Sequence, residues 1–261
     1  MENTPKVVIL AGGRGTRLAE ETDLKPKPMI EIGDRPILWH IMKLYASRGF
    51  TEFYVTLGYK GHIIKRYFVD EVQLTGDLTI ETASGRIASP RGNGDNWRVH
   101  LCDTGLETST GGRIKRLGPY LRGNTFFVTY GDGVSDVPIE NVLAFHRSHG
   151  RLGTVTAVRP PARFGGILFD GDLVKEFVEK PQIGEGWING GFLIFQPEVL
   201  DMIEGDAASL ESQLLEQLAR VGQLAAYRHE GFWQCMDTVR DLRLLQSMWD
   251  SGRAPWATRD V

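Results

Sequence analysis

Four consecutive apolar residues, Val7-Val8-Ile9-Leu10, run straight into Ala11-Gly12-Gly13. A strand that is apolar at every position has no solvent face, so it must be covered on both sides, and strands of that kind belong to parallel sheets. The glycines at its end read as a tight turn. Parallel neighbours need crossover connections, so helices should alternate with strands, and the pattern agrees. Ile37, Leu38, Ile41, Leu44 and Tyr45 recur at helical spacing behind Pro36, with Gly49 as a stop. Residues 53–57 predict a second strand, 60–68 a helix, 98–102 and 126–129 two more strands, and Pro138 opens a helix carrying Ile139, Val142, Leu143 and Phe145. The expected fold is α/β, a wound, mixed but mostly parallel sheet.

The second half changes character. Short strand candidates at 154–158, 167–169, 174–177 and 192–195 lie between Gly, Pro and Asp turns, which predicts a small antiparallel extension of the same unit. Leu210, Leu214, Leu215 and Leu218 mark one amphipathic helix, and Val239, Leu242, Leu245 and Met248 another. The long polar, glycine-rich stretch 83–96 reads as a mobile loop, either an active-site lid or a subunit contact. With 41% hydrophobic and 24% charged residues, residues 1–261 are expected to build a single domain. A net charge of −3 with scattered Lys and Arg gives no footprint for nucleic acid or an anionic membrane. The apolar run near the N-terminus is too short for a signal or spanning helix, so a cytoplasmic protein is expected. Cys102 and Cys235 cannot build a disulfide framework or a structural zinc site, and buried thiols are the expectation.

The chemistry-bearing segments begin with Ala11-Gly12-Gly13-Arg14-Gly15-Thr16-Arg17-Leu18. Glycine backbone N–H groups can converge on phosphate oxygens there, and Arg17 adds a cation. Leu18 stands where a dinucleotide fingerprint needs glycine, and the Gly-Lys-Ser/Thr of a P-loop is absent, so neither of those sites is expected. Gly-x-Gly alone is equally compatible with a plain turn. Ten residues beyond Arg17, Lys25-Pro26-Lys27-Pro28 holds Lys27 in a rigid extended backbone, a second cation near the same cradle. Asp132, in Thr129-Tyr130-Gly131-Asp132-Gly133, follows a strand at its carboxyl end, where open α/β sheets bind ligands. Asp237, in Gln234-Cys235-Met236-Asp237-Thr238, is either a second site carboxylate or an ordinary helix N-cap. Glu179-Lys180-Pro181 and Asn189-Gly190-Gly191 flank predicted strands and could face one pocket, although a solvated lysine and a turn asparagine would look the same.

Taken together, Leu-Ala-Gly-Gly-x-Gly-Thr-Arg-Leu followed by Lys-Pro-Lys-Pro resembles the signature of the sugar nucleotidyltransferase family. Glu20-Glu21-Thr22, Ile37 to Met42, Asp103-Thr104-Gly105, Thr110-Gly111-Gly112-Arg113 and Gly231-Phe232-Trp233-Gln234 look like its glucose-1-phosphate cytidylyltransferase branch. The resemblance implies a Rossmann-like nucleotidyltransferase fold that joins CTP to glucose 1-phosphate, giving CDP-glucose and pyrophosphate; UTP, dTTP or another sugar phosphate is the rival. It implies Mg²⁺ on Asp132 and Asp237, and charge work by Arg17 and Lys27. Leu10, Ala11, Gly12, Gly13, Arg14, Gly15, Thr16, Thr108, Thr110, Arg113 and Gly131 would bind nucleotide, and Gly165, Glu179, Lys180 and Asn189 the sugar phosphate. A homo-oligomer and a product used for deoxysugars of lipopolysaccharide O-antigen are also implied. Cys235 departs from the family pattern, which has proline there.

Overall fold

The computed structural model describes residues 4–15, 18, 22, 24–74, 79–88, 95–160, 166–170, 173–178 and 186–257. Its centre is a seven-stranded sheet in the spatial order Leu224–His229, Gly153–Val158, Ile188–Phe195, Phe126–Tyr130, Lys6–Leu10, Glu52–Leu57 and Arg98–Asp103. Lys6–Leu10 pairs parallel with both of its neighbours, Val8 standing between Tyr54 and Val128. Its side chains alternate between two cores. Val7 and Ile9 join the cluster under helices Ile37–Ala46 and Ile139–His149, while Val8 and Leu10 join Ile114, Leu121, Leu200 and Leu214 on the other face. Burial on both faces is what the unbroken apolar run demanded.

The antiparallel extension is smaller than the sequence suggested. Of the four strand candidates, only Gly166–Asp170 and Leu173–Val178 stand apart from the central sheet, as a hairpin. Gly153–Val158 and Ile188–Phe195 belong to the central sheet, the first running parallel to Leu224–His229 and the second providing the one reversed strand. The reason is again two-sided burial: Leu193 and Phe195 pack into one core and Phe192 and Ile194 into the other. Leu224–His229, not singled out from sequence, closes this edge. Of the stretch 83–96, Arg86–Ala88 pairs with Thr79–Glu81, Asp95 accepts hydrogen bonds from Trp39 and Lys43, and 89–94 lie outside the described residues.

Two further features position the site. The short strands Gly133–Ser135 and Trp233–Cys235 pair antiparallel, with Cys235 opposite Gly133, so chain segments a hundred residues apart meet beside the end of Phe126–Tyr130. The leucine-rich segment begins as a π-helix, Leu210–Leu215, in which Leu214 N–H reaches the Ser209 carbonyl, and continues as an α-helix over Glu216–Arg220. Single π-turns recur at functional sites. No helix among the described residues is long and apolar enough to cross a membrane.

Candidate active site

The glycine loop leaves the carboxyl end of its strand with Ala11 N–H bonded to the Thr56 carbonyl. A Cβ at Gly12 would lie 2.2 Å from the Arg113 guanidinium, so a side chain there would have to displace it. That guanidinium is buried. It donates to the carbonyls of Gly12, Leu57, Gly105 and Leu106 and to Thr104 Oγ1, clamping the loop to its neighbours from beneath. Among the described residues no carboxylate pairs with it, and burial, then Arg116, pulls its pKa down. A buried cation held only by neutral acceptors favours an anion in the cavity beside it. Gly15 sits at φ +63, where glycine alone is relaxed, and brings the loop against the Lys27 side chain.

Lys27 is the centre of the site. The extended backbone expected at Lys27 is confined to Pro26, at φ −67 and ψ 148; Lys27 itself opens a 3₁₀ turn, Lys27–Met29, because the proline rings on either side restrict the backbone without preventing a tight turn. Its ammonium donates to Asp132 Oδ2 at 2.7 Å and to Asp237 Oδ1 at 2.6 Å. Burial alone would lower the pKa of Lys27, but Asp132 and Asp237 outweigh it and hold the group above its ordinary value, fully charged. The alternative of Asp237 as a helix cap is resolved by its neighbour: Thr238 caps helix Val239–Asp250 in a capping box with Asp241, and the Asp237 carboxylate turns to Lys27 instead. Cys235 lies alongside, its thiol donating to Asp237 Oδ2 at 3.6 Å. Burial first, then Asp237 and Asp132, push that thiol up to about 12, so it stays protonated. Both cysteines are half-buried and neither is in a disulfide.

Two cavities meet at these carboxylates. One, about 480 Å³, is walled by the glycine loop, Lys27, Thr108, Thr110 and Arg113. The other, about 330 Å³, is walled by Asn189 to Phe192, Glu211 and Trp233. Tyr130, Asp132 and Asp237 line both. Within the second, Asn189 Oδ1 accepts the Gly191 N–H at 2.9 Å, which turns its amide nitrogen toward the Tyr130 oxygen at 3.4 Å. Gly191, at φ +81, admits the Tyr130 ring, which a Cβ would meet at 2.5 Å.

The structure thus gathers Leu10, Ala11, Gly12, Gly13, Gly15, Lys27, Thr108, Thr110, Arg113, Gly131, Asp132 and Asp237 around one cavity and places Asn189 in the adjoining one. Arg14 is exposed and pairs with Glu107 instead. Thr16, Arg17, Gly165, Glu179 and Lys180 lie outside the described residues. Sequence reasoning assigned no role to Tyr130, Glu211 or Trp233. The aromatic beside Gly131-Asp132 was a signal for the first, whereas Glu211 sits in an ordinary-looking amphipathic segment and carries none.

Two carboxylates that converge on one cation are a hard-oxygen pair of the kind that takes a divalent ion together with phosphate oxygens. The described residues hold no cluster of three or more His, Cys, Asp or Glu that would form a complete protein cage. Asp132 and Asp237 fit as two oxygen ligands of a divalent ion whose other positions water or phosphate oxygens would fill.

Residues 6–245 match the family described as Nucleotidyl transferase. The chain is 47% identical over 254 residues to a glucose-1-phosphate cytidylyltransferase of Salmonella typhi, covering 97% of this chain and 99% of that one. It is 39% identical to a probable glucose-1-phosphate cytidylyltransferase of Bacillus subtilis, covering 96% and 98%. Its fold is similar to the crystal structure of HddC from Yersinia pseudotuberculosis, with TM-score 0.71 at 24% identity, covering 94% of this chain and all of that one.

Proposed function

The chain belongs to the nucleotidyl transferase family, and on that premise we propose that it transfers the cytidylyl group of CTP to α-D-glucose 1-phosphate, releasing pyrophosphate and forming CDP-glucose. The near-full-length likeness to glucose-1-phosphate cytidylyltransferases supports the choice of both substrates. The observation that carries the reaction type is the meeting of two cavities at Asp132 and Asp237, which suits two substrates that must touch at one phosphorus.

In this reading a phosphate oxygen of glucose 1-phosphate attacks the α-phosphorus of CTP in line, and pyrophosphate leaves. A phosphate monoester has its second pKa near ~6 and is mostly dianionic at neutral pH, so no general base is required. The chain must instead bring two mutually repelling anions together and stabilise charge on the transferring group. The backbone of Gly12, Gly13 and Gly15 cradles the CTP phosphates, and Arg113 holds that cradle in shape. Lys27 brings its charge to the junction of the cavities, and Arg17 is assigned to the same work. Asn189 and Glu179 orient the sugar hydroxyls, Gly165 leaves room for the ring, and Lys180 positions the sugar phosphate. Mg²⁺, held by Asp132 and Asp237, supplies Lewis-acid neutralisation of phosphate oxygens when bound.

The protein acts as a single cytoplasmic domain, as composition and the short apolar runs suggest, and family resemblance supports a homo-oligomer whose product serves deoxysugar synthesis for surface polysaccharide. The test is pyrophosphate release with glucose 1-phosphate and CTP, UTP, dTTP, ATP or GTP in turn, with and without EDTA. Release with CTP alone, lost on chelation and restored by Mg²⁺, is the expected result. Release with UTP or dTTP alone would replace the base, and EDTA-resistant release would remove the metal.

A further inference from the structure

Glu211 stands where the walls of the two cavities join. One carboxylate oxygen accepts the Thr110 hydroxyl at 2.8 Å and the Ser209 hydroxyl at 2.9 Å, both from the wall of the glycine-loop cavity. The other accepts the Tyr130 hydroxyl at 2.5 Å, across the second cavity. Close packing brings these segments together: Gly112 lies so near Asp206 that a Cβ would fall 2.4 Å from its carbonyl oxygen, and Leu210 N–H bonds to Thr110 Oγ1 at 2.9 Å.

The charge state decides what this carboxylate does. Burial pushes Glu211 up, but hydrogen bonds from Tyr130, its own backbone N–H, Thr110 and Ser209 outweigh it and hold the group below the usual carboxylate range. An ionised carboxylate only accepts, so all three hydroxyl protons must point toward it. The Tyr130 oxygen lies 2.5 Å from Glu211, and because an ionised carboxylate brings no proton to the contact, the phenol supplies it. With that proton committed to Glu211, the Tyr130 oxygen can present only an acceptor to the second cavity, where the Asn189 amide nitrogen already points at it. A sugar hydroxyl entering there meets an acceptor of fixed polarity beside a donor of fixed polarity.

Building on the functional reading above, we propose that Glu211 is a positioning residue for the sugar subsite: anchored on the nucleotide wall, it orients the Tyr130 hydroxyl as the acceptor that selects glucose 1-phosphate. A hydrogen bond to a charged group is worth about 1.5–3 kcal/mol, or roughly 10- to 100-fold.

The experiment is a double-mutant cycle of Glu211→Gln and Tyr130→Phe, read as KM for glucose 1-phosphate, KM for CTP, and Tm. The expected result is that E211Q raises the sugar KM at least about tenfold and the CTP KM less than about threefold, with no fall in Tm large enough to depopulate the folded protein. Added to Y130F, it should change the sugar KM by less than about twofold, because both act through one hydroxyl. Multiplying effects, or equal rises in both KM values, would overturn the inference while leaving the reaction in place. Wild-type protein idle with CTP and glucose 1-phosphate would remove the functional reading and this one with it.

Discussion

The two cavities are built from different materials. The glycine-loop side is backbone and cations: Gly12, Gly13, Gly15, Lys27 and the buried Arg113. The other side is aromatic and polar side chains: Tyr130, Asn189, Glu211 and Trp233, with Trp233 Nε1 tied to the Gly190 carbonyl at 2.7 Å. The difference follows from what each side is proposed to bind. Phosphates carry charge that many N–H groups and cations satisfy without distinguishing one orientation from another. Sugar hydroxyls are neutral and directional, so recognition needs donors and acceptors whose polarity is fixed beforehand.

That contrast can be broken by substitutions that should affect one side only. The largest effect belongs to neither side but to their junction: Asp132→Asn should lower kcat at least about a hundredfold, since charge stabilisation in a phosphoryl site is worth several kcal/mol. Near-normal turnover of that variant, with unchanged dependence on Mg²⁺, would take Asp132 out of the metal pair. Next comes Lys180→Ala, which should raise the KM for glucose 1-phosphate by some tens-fold and that for CTP far less, because the contact proposed for it is to the phosphate of one substrate alone. Equal shifts would move Lys180 away from the sugar phosphate. On the opposite side, Gly12→Ala has to displace the Arg113 guanidinium. Overpacking of this kind costs about 1–3 kcal/mol, so a CTP KM raised about tenfold with a lowered Tm is expected. A variant with unchanged CTP affinity would show that the cradle tolerates a side chain. The smallest effect is expected from Cys235→Ser, within about threefold in kcat, because a long, weak thiol contact to Asp237 is replaced by a hydroxyl donor. A large loss would mean that the thiol, and not the strand pairing with Gly133, holds the Asp237 segment in place.

The cavities also differ in how readable they were. Gly15 and Lys27 announce themselves because a left-handed turn and proline flanks are local properties, written within a few residues. Asn189 was legible as an asparagine before two glycines, yet its orientation depends on Gly191 N–H and Tyr130. Arg113 was expected at the nucleotide and does line that cavity, but the five acceptors that hold its guanidinium against the glycine loop come from three separate segments and could not be read locally. Glu211 could not be found from sequence, since its three partners come from Thr110, Tyr130 and Ser209, and nothing local marks a glutamate that will face them.

What the chain's residue order determined by itself is the alternation of strands and helices, the two-sided burial of Lys6–Leu10, the glycine turn at its end and the stiff approach of Lys27, all consequences of steric and solvation preferences acting over short spans. Tertiary structure alone decided that Ile188–Phe195 would enter the central sheet reversed, that Gly133–Ser135 and Trp233–Cys235 would pair, and that Asp132 and Asp237 would close on one ammonium. These are pairings between distant segments, and their partners are chosen by which apolar faces can be buried together, a quantity no local window contains.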